Sequence, residues 1–424
     1  EWNPKRATPF GISAEEILLS AKVYFARQQY GQALPLLLRA AEAANGEAAV
    51  YLGLMYSDGL GVSKDHVQAA TWYRKAADAG IAGAMNDLGW LYANGQGGLP
   101  KDDAQAVSWF RKAADAGFAG SMNNLGLFYE DGRGGLPRDD VQAVSWFRKA
   151  AEVGLGEGMR NLGSMYERGR GGLPKDDALA VSWYRRGADA GSASSMDSLG
   201  LMYEYGLGGL PKDHVQAVSW FRRAADAGDA DGMRNLGTAY GNGLLPKDDA
   251  QAVSWFRKAA DMGDAGSMRN LGIMYANGRG GLPKDDAQAV SWYRKAADAG
   301  DGFAMSNLGA MYGNGRGGLP KDDAQAVSWF RKAADAGNAE GMGNLGVAYL
   351  FGVGGLPKDD AQAVSWFRRA ADAGDAEGMR NLGMMYAGGL GGLPKDDAQA
   401  VSWYRKAAAL GNSGAQEALK RLGQ

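Results

Sequence analysis

The chain has 424 residues, with 46 basic side chains against 48 acidic ones, a net charge of −2 and no cysteine. Balanced charge without any Lys/Arg-rich run excludes the electrostatic footprint of a nucleic-acid binder, and the missing thiols exclude disulfides and thiolate metal sites. No apolar stretch approaches the ~18 residues that a bilayer-spanning helix needs.

The chain opens at Glu1 without a methionine or a signal-like apolar segment, which reads as the removal of a preceding piece. A periplasmic or secreted location is the resulting expectation, with the cytoplasm as the alternative. Residues 1–46 are expected to form a helical hairpin that caps the N-terminal end of the chain. Ser13-Ala-Glu-Glu-Ile-Leu-Leu opens one amphipathic run and Tyr30-Gly-Gln-Ala-Leu-Pro-Leu-Leu-Leu a second.

From residue 47 to residue 411 one phrase returns ten times. Its tryptophans, Trp72, Trp109, Trp146, Trp183, Trp220, Trp255, Trp292, Trp329, Trp366 and Trp403, stand 37 residues apart. The exception is a gap of 35 from Trp220 to Trp255, where the loop at Gly243-Leu244-Leu245-Pro246 is two residues short. A fixed period of this size is the signature of a solenoid, a stack of one supersecondary unit. A residue present in ten copies belongs to the scaffold, and specificity must lie where the copies differ.

The copy from Gly120 to Gly154 shows the unit. Met122, Leu125 and Tyr129 share one helical face, predicting a helix A of about 11 residues. Gly132 to Pro137 break it. Asp139, with Gln142 three residues on, reads as the cap of a helix B of about 14 residues bearing Ala143, Trp146, Phe147 and Ala150. Gly126 sits inside helix A, where glycine costs roughly 1 kcal/mol against alanine, yet glycine recurs there in every copy. The expected reason is a close helix approach, with the Trp and Tyr of the same copy filling the space around it. Residues 412–424 have the spacing of one last helix A, with Lys420 where that glycine would stand, and are expected to cap the stack.

The recurring LG-x-M-Y-x-x-G and A-x-x-W-[FY]-x-K-A-A-x-x-G resemble the Sel1-like repeat family, a relative of the tetratricopeptide repeats, of bacterial type. The resemblance implies an all-α fold, a right-handed α/α superhelical solenoid, and an adaptor role in assembling protein complexes. It also implies envelope and host-interaction contexts.

Comparison among the copies shows what is free to vary. With Met122 as position 0, positions 0, 3, 4 and 7 of helix A are constant and −2, 1, 5, 8 and 9 vary. At 100° per residue the variable set forms a stripe opposite the constant one. By resemblance, these positions line the concave groove of tetratricopeptide domains. The candidate partner-binding residues are Asn86, Asn123, Arg160, Arg234 and Arg269 at position 1, and Trp90, Leu127, Leu201 and Ile273 at position 5. Glu130 and Glu167 join them at position 8, and Asn94, Asp131 and Tyr205 at position 9. Asn both donates and accepts, which suits an extended peptide backbone. In the first five copies Glu47, Asp58, Glu130, Asp131, Glu157, Glu167, Asp197 and Glu204 outweigh Arg160 and Arg168 on this stripe. In the last five, Asp231, Glu340 and Glu377 balance Arg234, Arg269 and Arg380. A partner basic toward the N-terminal half is the expectation.

Three features invite other readings. Gly-x-Gly-Gly-Leu-Pro-Lys lacks the Gly-Lys-Ser/Thr and the strand of a phosphate loop. His66 and His214 occupy equivalent places four copies apart and read as replacements of the helix-opening Asp. Paired carboxylates such as Asp102 and Asp103 read as capping charge rather than acid–base machinery. The chain is therefore expected to be a monomeric, non-enzymatic scaffold without cofactor, metal or catalytic residues, binding a protein or peptide. The alternative is a carbohydrate or cell-wall binder using exposed aromatics, Trp90, Tyr205, Phe303 and Phe351 among them.

Overall fold

A computed structural model of the chain describes residues 13–423; residues 1–12 of the N-terminal segment and Gln424 of the C-terminal one lie outside the described residues. The described residues form twenty-three α-helices and no strand. They pair as a first hairpin, Ala14–Ala26 with Tyr30–Glu42, then ten repeats of helix A and helix B, then the single helix Ser413–Arg421. Helix A runs Gly46–Asp58, Ala82–Asn94, Ala119–Asp131, Gly156–Arg168 and Ala193–Tyr205 in the first five repeats. It runs Ala230–Asn242, Ala265–Asn277, Gly302–Asn314, Ala339–Phe351 and Ala376–Gly388 in the last five. Both helices of the third repeat have 13 residues, Ala119–Asp131 and Asp140–Glu152. Helix A is thus longer, and helix B shorter, than the sequence spacing suggests. The structure is an all-α solenoid of helix-turn-helix repeats. It divides into two compact units, one ending at Ala217 and one beginning at Val218.

Local chemistry sets the ends of each helix. Asp139 accepts from the Val141 and Gln142 N–H groups at 2.9 and 3.0 Å, opening helix B of the third repeat. Gly132 closes helix A with φ +67°, a left-handed turn that glycine adopts without strain. The loop glycines have a second duty. A Cβ on Gly134 would stand 2.5 Å from the Asp103 carbonyl oxygen, because the loop of one repeat lies directly on helix B of the repeat before.

The core is a row of junctions rather than one centre. Ala143, Val144 and Phe147 of one helix B bury themselves against Met159, Leu162 and Met165 of the next helix A. Helix A glycine is explained by the residue after the tryptophan, not by the tryptophan itself. A Cβ on Gly163 would meet the Tyr184 ring at 2.7 Å, and one on Gly89 would meet Phe110 at the same distance. Tyr184, Phe110, Phe147 and Phe367 are among the most completely buried side chains. The tryptophans are mostly half-buried at the junctions, as Trp183 is. A cation three residues on covers the ring, Lys149 at 3.9 Å from Trp146 and Arg186 at 4.2 Å from Trp183.

Polar stitches join consecutive repeats. The second aspartate of the opening pair is held by an arginine in the next repeat's loop: Asp140 receives Arg170 Nε and Nη2 at 2.9 and 2.7 Å. Asp103 with Arg133, Asp249 with Arg279 and Asp286 with Arg316 repeat the arrangement. The pair read as capping charge therefore splits, one carboxylate for the helix and one for the neighbour.

Candidate partner-binding face

The variable stripe lies on helix A, and the structure separates its positions into two kinds. Position 9 points outward, whereas position 5 is exposed at Trp90, Leu127 and Val347 and half-buried in the other repeats. Trp90 is 49% exposed, Tyr205 61% and Phe351 67%. Leu127 and Asp131 are exposed, while Leu201 and Ile273 are half-buried. Asn94 is also exposed, but its Nδ2 donates to the Trp90 carbonyl at 2.8 Å, and Asn277 does the same to Ile273 at 2.9 Å. These amides finish the last turn of their own helix before they can serve a peptide.

Position 1 faces the next repeat. Asn86 Oδ1 accepts from Ser121 Oγ at 2.9 Å and from Asn124 Nδ2 at 3.0 Å. Asn123 is buried and accepts from Asn161 Nδ2 at 2.8 Å. Arg234 pairs with Asp264 at 2.6 Å and Arg269 with Asp301 at 2.8 Å. Arg160 donates to Asn161 at 3.2 Å. At Asn86, Asn123, Arg234 and Arg269 the hydrogen-bonding capacity that a peptide backbone would want is spent on repeat-to-repeat joints, whereas Arg160 bonds within its own helix. Position 8 is also engaged, once to the next repeat and once within its own. Glu130 meets Arg170 at 2.6 Å, and Glu167 accepts the Tyr184 hydroxyl at 2.5 Å. Burial pushes that phenol up, and the Glu167 carboxylate adds to it. Of the other acids counted on the N-terminal stretch, Glu47 is bridged to Lys22. Ion pairs thus offset Glu47 and Glu130, while Asp58, Asp131 and Glu157 remain exposed carboxylates.

One feature was not singled out from the sequence. A cleft of about 330 Å³ opens between helices A of the ninth and tenth repeats, lined by Glu340, Gly343, Val347, Phe351, Asp375 and Met384 among others. Five of these six stand at variable positions of the stripe. The signal was present as the lone glycine at position 1 of the ninth repeat, but glycine has no chemistry of its own to attract notice. Among the described residues, no group of three or more His, Asp or Glu side chains is placed to hold a metal ion. No helix among them is long and apolar enough to cross a membrane.

The profile of the Sel1 repeat matches ten consecutive segments, from residues 46–81 and 82–118 through to 339–375 and 376–412. A solved structure described as a protective antigen present in uropathogenic Escherichia coli strains, displaying an SLR fold, is 36% identical over 96% of this chain and 86% of that one, with a TM-score of 0.52. A Sel1 repeat protein from Oxalobacter formigenes is 32% identical over 58% of this chain and 99% of that one, also with a TM-score of 0.52. No curated protein matches the chain.

Proposed function

This chain belongs to the Sel1 repeat family, and we propose that it is a non-enzymatic scaffold binding a protein or peptide segment along the exposed face of helix A. Repeat solenoids of this kind serve protein–protein interaction, and their stacked units present extended concave surfaces. The observation that carries the reading is the placing of the exposed aromatic rings. Trp90, Tyr205, Phe303 and Phe351 all stand at variable positions of helix A, and Phe118 at the cap of one. Exposed aromatics are the side chains from which interface hot spots are built. Helices A of adjacent repeats also pack on one another from the third to the fifth repeat and from the eighth to the tenth. This contact supports an inner position for helix A in those repeats.

The scaffold acts as a monomer, with no nucleic-acid or membrane-spanning role. Exposed Asp58 and Asp131 favour a basic segment against the N-terminal unit. The likeness to a protective antigen supports a periplasmic or secreted place. Affinity capture from the source cell, with binding measurements on the captured protein, tests the reading. Trp90→Ala weakens binding by about 2 kcal/mol. Unchanged affinity in Trp90→Ala and Tyr205→Ala together would move the surface to helix B. Glycan binding that depends on the same two rings would replace a protein partner with a carbohydrate.

A further inference from the structure

Position 1 of helix A lies beside the cap of the following helix A. In the sixth repeat Arg234 reaches the cap carboxylate of Asp264 at 2.6 Å, and in the seventh Arg269 reaches Asp301 at 2.8 Å. Each of these aspartates also holds a backbone N–H of its own helix, that of Ser267 or Ala304. The tenth repeat has the same aspartate in the same role: Asp375 accepts from the Gly378 N–H at 2.6 Å. The arginine, however, is absent, because the ninth repeat has Gly343 at position 1. A Cβ built there would stand 3.3 Å from Asp375 Oδ2, with no other neighbour within 4 Å. The carboxylate faces the space that its counterparts fill with a guanidinium.

That space is the cleft between helices A of the ninth and tenth repeats. Glu340 and Glu377 share it, and Arg380 is the one cation among its lining residues. Arg380 Nε is taken by Glu377 at 2.9 Å, and the other oxygen of Glu377 takes Asn412 at 2.8 Å. Asp375 and Glu340 are left without a cation that offsets them. Desolvation pushes both carboxyls up, with the Glu377 charge adding at Asp375 and the Asp375 charge adding at Glu340, against backbone N–H bonds at Asp375 and a Ser306 hydrogen bond at Glu340. Val347, Phe351 and Met384 form walls of the same cleft, suited to an alkyl stem carrying a charged head.

We propose that this cleft takes an arginine side chain of the bound protein or peptide, its guanidinium on Asp375 and Glu340 where Arg234 and Arg269 sit in their own repeats. The proposal rests on helix A being the partner-binding face. A planar guanidinium suits two carboxylate edges better than an ammonium does.

The probe is N-acetyl-arginine amide, titrated into the isotope-labelled full chain while the backbone resonances of Gly343 and Gly378 are monitored. Saturable shifts at both are expected, and N-acetyl-lysine amide should bind more weakly. Asp375→Asn keeps a side chain that caps a helix equally well but should weaken the arginine probe by about tenfold. Gly343→Arg fills the cleft from within and should abolish probe binding while raising the unfolding temperature. No saturable shift at Gly343, or equal affinity in the wild type and Asp375→Asn, overturns the proposal. The captured partner separates the two readings. If Trp90→Ala weakens it and Gly343→Arg does not, the helix A face stands and the arginine cleft falls. If neither substitution matters, both fall.

Discussion

Gly163 shows how one missing side chain decides a repeat. An alanine there gains helix propensity of about 1 kcal/mol. Its methyl would also enter the Tyr184 ring, which is 1% exposed and cannot swing aside. Overpacking of a filled core costs typically about 1–3 kcal/mol, so crowding wins. Gly163→Ala is expected to lower stability by about 1–2 kcal/mol, read as a fall in the denaturant midpoint. Gly313 is the control. It too lies in helix A, but its Cβ would meet only Ala326, at 3.6 Å. Gly313→Ala should be neutral or stabilising by up to about 1 kcal/mol. Equal losses in both variants would mean that backbone freedom, not the aromatic ring, selects glycine in this helix.

Between helices, the arginine stitches make a pH-dependent contribution whose sign is fixed. Hydrogen bonding from Arg170 holds the Asp140 carboxyl below its ordinary value. A group lowered on folding gives stability that is present above its unfolded pKa and lost as pH falls through the folded one. Arg170→Met should therefore reduce stability at neutral pH, by about 1 kcal/mol or less given the partial exposure of the pair. The deficit should shrink as the pH drops below the carboxylate range, where the wild type loses the same contact. Denaturant midpoints at neutral and acid pH check this; a deficit constant with pH would mean that Arg170 acts by packing alone. Such joints also mark what sequence reading could reach. The 37-residue period, the helical hairpins and the capping aspartates were all legible, because each rests on residues close together in the chain. The partner of Arg234 is Asp264, 30 residues away, and that of Asn123 is Asn161, 38 away. Variation at position 1 thus looked like freedom to bind, when much of it is matching between neighbours. Likewise the tryptophan announced the repeat, but only packing shows that the ring beside it fills the glycine notch.

The molecule as a whole has no central core to lose. Hydrophobic clusters such as those of the third-to-fourth and ninth-to-tenth junctions join one helix B to the next helix A, and these two share no buried residue. Stability in such an array is close to a sum of repeat terms and nearest-neighbour terms. Phe147 is fully buried at the junction of the third and fourth repeats, against Gly126 of its own helix A. Truncating it leaves a cavity the size of a phenyl ring, and Phe147→Ala should cost about 3–5 kcal/mol. In a globular domain that loss would lower the protection of every amide N–H that exchanges by global opening. Here it should be spent locally. Hydrogen exchange is expected to accelerate from the second repeat to the fourth and to stay unchanged at Leu382 and Met385 in the tenth, where the Phe367 junction is intact. Loss of protection spread evenly over all ten repeats would mean that the stack unfolds as one cooperative body and that the nearest-neighbour description fails.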